Sequence, residues 1–81
     1  MNNLKENDII EFVRLKIVER TDIDIDDITE ESSLEEIGLG SLDVVLISGE
    51  IEDEFKVEVD PMMMFESKTL KEVASRVIAS K

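Results

Sequence analysis

The sequence contains no cysteine and no histidine. Without cysteine the chain can form no disulfide and offers no thiolate to zinc, which agrees with a reducing, cytoplasmic setting. Without histidine it also lacks the commonest general base and a common soft metal ligand. These two absences remove the usual catalytic groupings, and we predict that the protein is not an enzyme.

Long hydrophobic runs are also missing. The first eight residues contain no apolar run, so no secretory signal is expected. Nothing in the chain approaches the roughly 20 apolar residues that a membrane helix needs. A length of 81 residues suffices for one small domain, and we predict a single domain over residues 1–81.

Basic residues are scarce, because nine Lys and Arg stand against 21 Asp and Glu, for a formal net charge of -12. No basic residue lies between Arg20 and Lys56. The acids of that stretch are Asp22, Asp24, Asp26, Asp27, Glu30, Glu31, Glu35, Glu36, Asp43, Glu50, Glu52, Asp53 and Glu54. This charge repels nucleic acid and anionic lipid, attracts basic protein surfaces and opposes self-association. We therefore predict a monomer that binds neither nucleic acid nor membrane, although a merely solubilising surface would have the same composition.

Apolar residues recur at helical spacing in three segments, which predicts three amphipathic helices. The stripes are Ile9, Ile10, Val13 and Ile17; then Val44, Ile47, Ile51 and Phe55; then Leu70, Val73, Ala74, Val77 and Ile78. Asn7 or an earlier Asn is the expected cap of the first helix, with Asp8 favourably placed near its N-terminus. Thr69 and Glu72 have the spacing of a capping box at the start of the last helix.

A long connection, roughly residues 21–40, separates the first two helices. We interpret it as an extended loop that anchors Ile28, Leu34 and Ile37 on the core, and the short segment before Asp60 as one that anchors Val59. Asp60-Pro61 suits the start of a short helix over Met62 to Phe65. The predicted fold is therefore an all-α four-helix bundle with three longer helices and a short third one.

The acidic loop begins like a calcium-binding loop, with Asp22-x-Asp24-x-Asp26. The next position is Asp27, where an EF-hand needs Gly, and the twelfth position is Ser33, where it needs Glu. We predict no metal site, and a divalent-ion buffer remains only as an alternative.

The segment most indicative of function is Gly38-Leu39-Gly40-Ser41-Leu42-Asp43, between the acidic loop and the second helix. Two glycines allow a sharp turn, and Ser41 is then expected at the N-cap or in the first turn with its hydroxyl exposed. Free N–H groups and the helix dipole favour a phosphate there. On the local pattern alone, an ordinary serine N-cap is the favoured interpretation.

Longer segments resemble acyl carrier proteins. Residues 28–43, ITEESSLEEIGLGSLD, are similar to the loop that leads into the phosphopantetheine site of that family. Asp60-Pro61 to Phe65-Glu66 and residues 69–74, TLKEVA, are similar to its third and fourth helices. The similarity runs in the family's order along nearly the whole chain.

The resemblance implies a four-helix carrier fold in which Ser41 receives 4′-phosphopantetheine from coenzyme A through a phosphopantetheinyl transferase. Ser41 would serve for attachment only, because the reactive thiol belongs to the arm. Acyl-loading and acyl-processing enzymes with basic patches are the further partners implied. The second helix would be the main recognition element, through Leu42, Asp43, Val45, Leu46, Glu50, Glu52, Asp53 and Glu54.

Three features depart from the family's pattern. Gly40 stands where the family usually has Asp, which bears on the choice of transferase. Leu46, Gly49 and Glu50 differ from the residues usual in fatty-acid carriers, which suggests a specialised set of partners.

The third departure is the apolar third helix, with Met62, Met63 and Phe65. Either Met64 and Phe65 are core and the other methionines are exposed by chance, or the helix offers an adaptable contact surface. We predict a carrier of acyl groups in fatty-acid, polyketide or related specialised biosynthesis. The alternatives are an aminoacyl carrier of cell-wall or nonribosomal peptide type, and an unmodified carrier-like module that acts through its acidic surface.

Overall fold

The computed structural model describes residues 4–79, which form an all-helical bundle with no strand in that range. The helices are α1 (Glu6–Arg20), α2 (Leu34–Ile37), α3 (Ser41–Phe55), α4 (Pro61–Glu66) and α5 (Leu70–Ala79), with a 3₁₀ turn at Ile25–Asp27. Three helices are long and two are short. Because every element in the described range is helical, the predicted all-α class is confirmed. None of the helices within residues 4–79 combines the length and apolar character required to traverse a bilayer.

One hydrophobic core joins the helices, and the three predicted stripes supply most of it. Its buried members are Ile9, Ile10, Val13, Ile17, Ile28, Leu34, Leu39, Val44, Ile47, Ile51, Val59, Met64, Leu70, Val73, Ala74 and Val77. Helix α1 packs against both α3 and α5, and α4 packs against α3. Burial of these side chains is the dominant stabilising term, at about 25 cal/mol for each Å² of apolar surface removed from water.

An aromatic pair joins α1 to α3, and a cation of α1 lies near one of its rings. The rings of Phe12 and Phe55 meet edge to face, with centroids 5.3 Å apart. The Nζ atom of Lys16 lies 5.1 Å from the centre of the Phe12 ring. Both arrangements match the quadrupole of the aromatic ring, whose face is negative and whose edge is positive.

The predicted helix starts are confirmed for α4 and α5 but not for α1. Asp60 Oδ1 accepts from the N–H of Met62 at 2.9 Å, with Pro61 at the first helical position. Thr69 Oγ1 accepts from the N–H of Glu72 at 3.0 Å. The carboxylate of Glu72 does not complete the reciprocal half of the box, because it accepts from the N–H of Lys68 at 3.3 Å.

The prediction that Asn7 caps α1 is wrong. The helix begins at Glu6 with Lys5 at the N-cap position, so Asn7 lies in its first turn. The N–H of Lys5 instead donates to Asp8 Oδ2 at 3.2 Å. The carboxylate of Asp8, in the first turn, thus satisfies the backbone N–H of the N-cap residue. The earlier asparagines, Asn2 and Asn3, lie outside the described residues.

The connection between α1 and α3 is less extended than predicted, since it contains the 3₁₀ turn and α2. Ile28, Leu34 and Val59 are buried and Ile37 is half-buried against the core, as expected. Backbone hydrogen bonds also join this connection to the start of α5. The N–H groups of Leu70 and Lys71 donate to the carbonyls of Ser32 and Glu30, at 2.8 and 2.9 Å respectively. The loop thus satisfies two of the free N–H groups at the start of α5.

Candidate functional site

The approach to Ser41 is set by the end of α2. Ser33 Oγ accepts from the N–H of Glu36 at 3.0 Å and caps this single turn. Gly38 ends it in the left-handed conformation, with φ of 89°, and its N–H donates to the carbonyls of Leu34 and Glu35. The next side chain, Leu39, is buried in the core. The chain is therefore anchored two residues before Ser41.

Ser41 is the first residue of α3, and it is exposed, as the sequence predicts. Gly40 occupies the N-cap position, and its carbonyl accepts from the N–H of Val44 at 3.1 Å. The hydroxyl of Ser41 makes no hydrogen bond with any of the residues from 4 to 79. Because the first amides of a helix have no acceptor within it, Ser41 lies beside free N–H donors at the positive end of the helix dipole.

Only one of the two glycines uses its conformational freedom. Gly38 has the positive φ that the sequence analysis expects of a sharp turn. Gly40 has φ of -76° and ψ of 164°, which any residue adopts. A Cβ atom at position 40 would lie 3.9 Å from Asp43 Oδ2, an ordinary contact distance.

One exposed face of α3 near Ser41 is apolar. Leu42, Val45 and Leu46 are 71%, 48% and 45% exposed, although residues of this type are usually buried. Their spacing of three and four places them on one face of the helix. The opposite face is buried and includes Val44 and Ile47.

The five acids of α3 that were predicted to contact partners divide into two sets. Asp43 and Glu50 are paired with cations of α1, and the carboxylate of Glu52 accepts from the N–H of Val59 at 2.8 Å. Asp53 and Glu54 are exposed and form no ion pair within the described part of the chain. The role of all five in partner binding stays a prediction.

The short helix α4 is mainly part of the core. Met64 is fully buried, and Met63 and Phe65 are partly buried against the core. Met62 alone is largely exposed, at 62%. The apolar composition of this helix is thus explained mostly by packing.

Two surface cavities lie away from Ser41. One, of about 300 Å³, is lined by Ser33, Glu35, Glu36, Phe65, Glu66, Ser67 and Lys68. The other, of about 230 Å³, lies beside Arg14 and the backbone of Ile28. Within residues 4–79, no group of three or more acids converges as metal ligands would. Chemistry at Ser41 would therefore take place on an open surface rather than in either cavity.

Sequence reasoning missed two features of this region. The first is α2, whose four residues are too few to show helical periodicity. The spacing Ser33-x-x-Glu36 is a capping signature that could have indicated it. The cations that pair with Asp43 and Glu50 lie more than twenty residues away in the sequence, and no local pattern indicates them.

A phosphodiester fits the arrangement at Ser41. The hydroxyl is exposed and unbonded, and the start of α3 offers N–H donors. Asp43 is the nearest acid in sequence that would repel a phosphate, and Arg20 Nη1 lies 3.6 Å from Asp43 Oδ1 and offsets its charge. Apolar side chains at positions 42, 45 and 46 lie on the same helix.

Residues 11–77 match the model of a family described as "Phosphopantetheine attachment site". The chain is also 31% identical over 75 residues to the acyl carrier protein of Helicobacter hepaticus (strain ATCC 51449 / 3B1). That alignment covers 91% of this chain and 99% of the Helicobacter protein. No solved structure gives a significant match.

Proposed function

This chain belongs to the acyl carrier protein family, whose members hold 4′-phosphopantetheine and are carriers rather than enzymes, and we propose that its arm is attached to Ser41. The single observation that supports this assignment most strongly is the exposed, unbonded hydroxyl of Ser41 at the first position of α3.

The other serines of the matched region are less suitable. Ser48 and Ser67 are buried and donate to the carbonyls of Val45 and Met63. Ser32 and Ser33 accept from backbone N–H groups of their own turns. Ser75 is exposed, but it lies inside α5, where the backbone N–H groups are already bonded within the helix.

In the attachment reaction, the Oγ atom of Ser41 would form a bond to the β-phosphorus of coenzyme A. The bond between that phosphorus and the bridging oxygen of the diphosphate breaks, and 3′,5′-adenosine diphosphate leaves. The proton of the hydroxyl passes to a base of the transferase. The N–H groups at the start of α3 would then face the phosphodiester. When attached, the arm supplies the thiol on which cargo is held as a thioester.

The cargo that we propose is an acyl intermediate of fatty-acid, polyketide or related specialised biosynthesis. The acyl carrier protein of Helicobacter hepaticus, aligned over nearly its whole length, favours an acyl over an aminoacyl cargo. The enzyme that loads the arm makes this choice, so an aminoacyl carrier is the second candidate. Identification of the group released from native protein by mild thioester cleavage distinguishes the two.

Carrier proteins of this kind interact with phosphopantetheinyl transferases and acyl-processing enzymes. We propose that such partners contact α3 through its exposed apolar residues, Leu42, Val45 and Leu46, and through the unpaired acids Asp53 and Glu54. Charge pairing of this type raises encounter rates and selects partners while binding stays weak. The predictions of a monomer and of a cytoplasmic location also stand as part of this proposal.

Mass spectrometry of the intact protein tests the attachment site. Co-expression with a broad-specificity phosphopantetheinyl transferase should add one phosphopantetheine to the chain, and Ser41→Ala should abolish the addition. Ser75→Ala is the matched control, because it removes an exposed serine hydroxyl elsewhere, and it should be modified in full. An unmodified wild-type chain with several transferases, or a modified Ser41→Ala chain, would refute the assignment and favour the unmodified acidic module.

A further inference from the structure

Two cations of α1 reach across to the acids of α3. Arg20 Nη1 lies 3.6 Å from Asp43 Oδ1, and Arg20 Nη2 lies 3.4 Å from Glu50 Oε1. Lys16 Nζ lies 3.4 Å from the other carboxylate oxygen of Glu50. Arg20 is the last residue of α1, and its guanidinium bridges two acids that lie two helical turns apart on the same side of α3.

We propose that Arg20 is a specificity-determining residue that withholds Asp43 and Glu50 from partner proteins. A basic partner is thereby directed to Asp53 and Glu54, at the far end of α3. This inference rests on the proposed function, since it concerns the proteins that act at Ser41. It narrows the sequence-based prediction, which names all five acids of α3 as recognition residues.

The geometry divides the surface of α3 into two parts. The part that begins at Ser41 holds the exposed apolar residues and the two paired acids, with Asp43 two residues and Glu50 nine residues after Ser41. Asp53 is twelve residues after Ser41, which corresponds to about 18 Å along a helix that rises 1.5 Å per residue. The partner that fits this surface has an apolar contact beside its reactive centre and a cluster of Lys or Arg about 15–20 Å from it.

The ion pairs of Arg20 with Asp43 and Glu50 are partly exposed, so a partner protein can contact them. The side chains of Arg20, Asp43 and Glu50 are 26%, 40% and 36% exposed. A partner's cation that approached Asp43 would meet the guanidinium of Arg20 and be repelled by it. Loss of Arg20 would free Asp43, two residues after Ser41, and leave Glu50 paired with Lys16 alone. Basic surfaces that the native protein disfavours could then bind there.

The test uses a broad-specificity phosphopantetheinyl transferase with coenzyme A and the full chain as substrate. The measured quantities are the KM and kcat of the transferase for each variant of the chain. Arg20→Gln is compared with Lys71→Gln, which removes the same charge from an exposed residue of α5 that forms no ion pair in the described range. Arg20→Gln should lower KM about two- to fivefold, the range expected for surface ion pairs, while kcat stays unchanged. Lys71→Gln should change KM less than about 1.5-fold, since it affects only the long-range field.

A second comparison, made in the wild-type background, does not depend on the folding of Arg20→Gln. In the wild-type background, Asp53→Asn with Glu54→Gln should raise KM about threefold or more, while Asp43→Asn with Glu50→Gln should raise it less than about 1.5-fold. In the Arg20→Gln background, Asp43→Asn with Glu50→Gln should raise KM about two- to fivefold. The inference is overturned if both pairs of substitutions have the same effect in the wild type, or if Arg20→Gln and Lys71→Gln shift KM equally.

The same substitutions are then made in a Ser41→Ala chain, and isothermal titration calorimetry measures the Kd of each variant for the transferase. This experiment separates binding of the transferase from modification. If the wild-type chain is never modified, the proposed attachment at Ser41 fails, and the Kd values still decide the role of Arg20. If modification proceeds and the Kd values show no coupling between Arg20 and the pair Asp43 and Glu50, only the role of Arg20 is refuted.

Discussion

Arg14 Nε lies 2.6 Å from the carbonyl oxygen of Ile28, a residue whose side chain is fully buried. The same guanidinium donates from Nη2 to the carbonyl of Ile25 at 2.8 Å and from Nη1 to Glu11 at 2.8 Å. One side chain of α1 thus holds both ends of the 3₁₀ turn. Because this turn belongs to the connection that leads to α2 and Ser41, Arg14 helps to position the proposed attachment site.

Arg14→Met should lower the free energy of unfolding by about 2 kcal/mol, because two charge-assisted bonds to backbone carbonyls are lost while the apolar stem is kept. Urea denaturation measures the change. Arg76→Met is the matched control, since Arg76 only pairs with Glu72 on the exposed surface of α5, and it should cost less than about 0.5 kcal/mol. Equal losses in the two variants would contradict the role of Arg14 as a clamp.

Arg14 and Arg76 illustrate which contacts can be predicted from the sequence and which cannot. Helix periodicity is local, so the buried stripes of α1, α3 and α5 follow from spacing alone. The exposed hydroxyl of Ser41 also follows from a local pattern, two glycines before a helix. The partner of Arg76 is local, because Glu72 lies four residues earlier in the same helix. The backbone acceptors of Arg14 and the acids paired with Arg20 lie 11 to 30 residues away, so tertiary packing determines them and no local pattern indicates them.

Gly38 and Gly49 should respond oppositely to alanine. Gly38→Ala puts a Cβ atom on a residue with φ of 89°, which should cost about 1 kcal/mol although nothing lies within 4 Å of that atom. Gly49 lies inside α3 with open space beside it, so Gly49→Ala should add about 0.5–1 kcal/mol through helix propensity. Thermal and urea unfolding of the two variants measure both effects. A stabilising Gly38→Ala would show that the left-handed end of α2 is not required.

Gly40→Asp tests the departure from the family's usual residue. Its backbone conformation is open to any residue, and an N-cap Asp should add only a few tenths of a kcal/mol relative to Gly. The new carboxylate would lie close to that of Asp43, which offsets this gain. We expect unfolding free energies equal within about 0.5 kcal/mol, and faster modification by transferases that recognise the acid before the serine. Gly40→Asn, without the charge, is the control, and equal rates for both variants would contradict recognition of that acid.

Glu52 illustrates an acid whose contact is structural. Its Oε2 accepts from the N–H of buried Val59 at 2.8 Å and so ties the end of α3 to the segment before α4. Glu52→Ala leaves that N–H without its acceptor and should cost about 1–2 kcal/mol in urea unfolding. Glu52→Gln retains an amide oxygen at the same reach and should recover at least half of the loss. Glu54→Ala, an exposed acid of the same helix, should change stability by less than about 0.5 kcal/mol. If Glu52→Ala were as mild as Glu54→Ala, the bond to Val59 would contribute nothing, and Glu52 would return to the set of acids free to meet a partner.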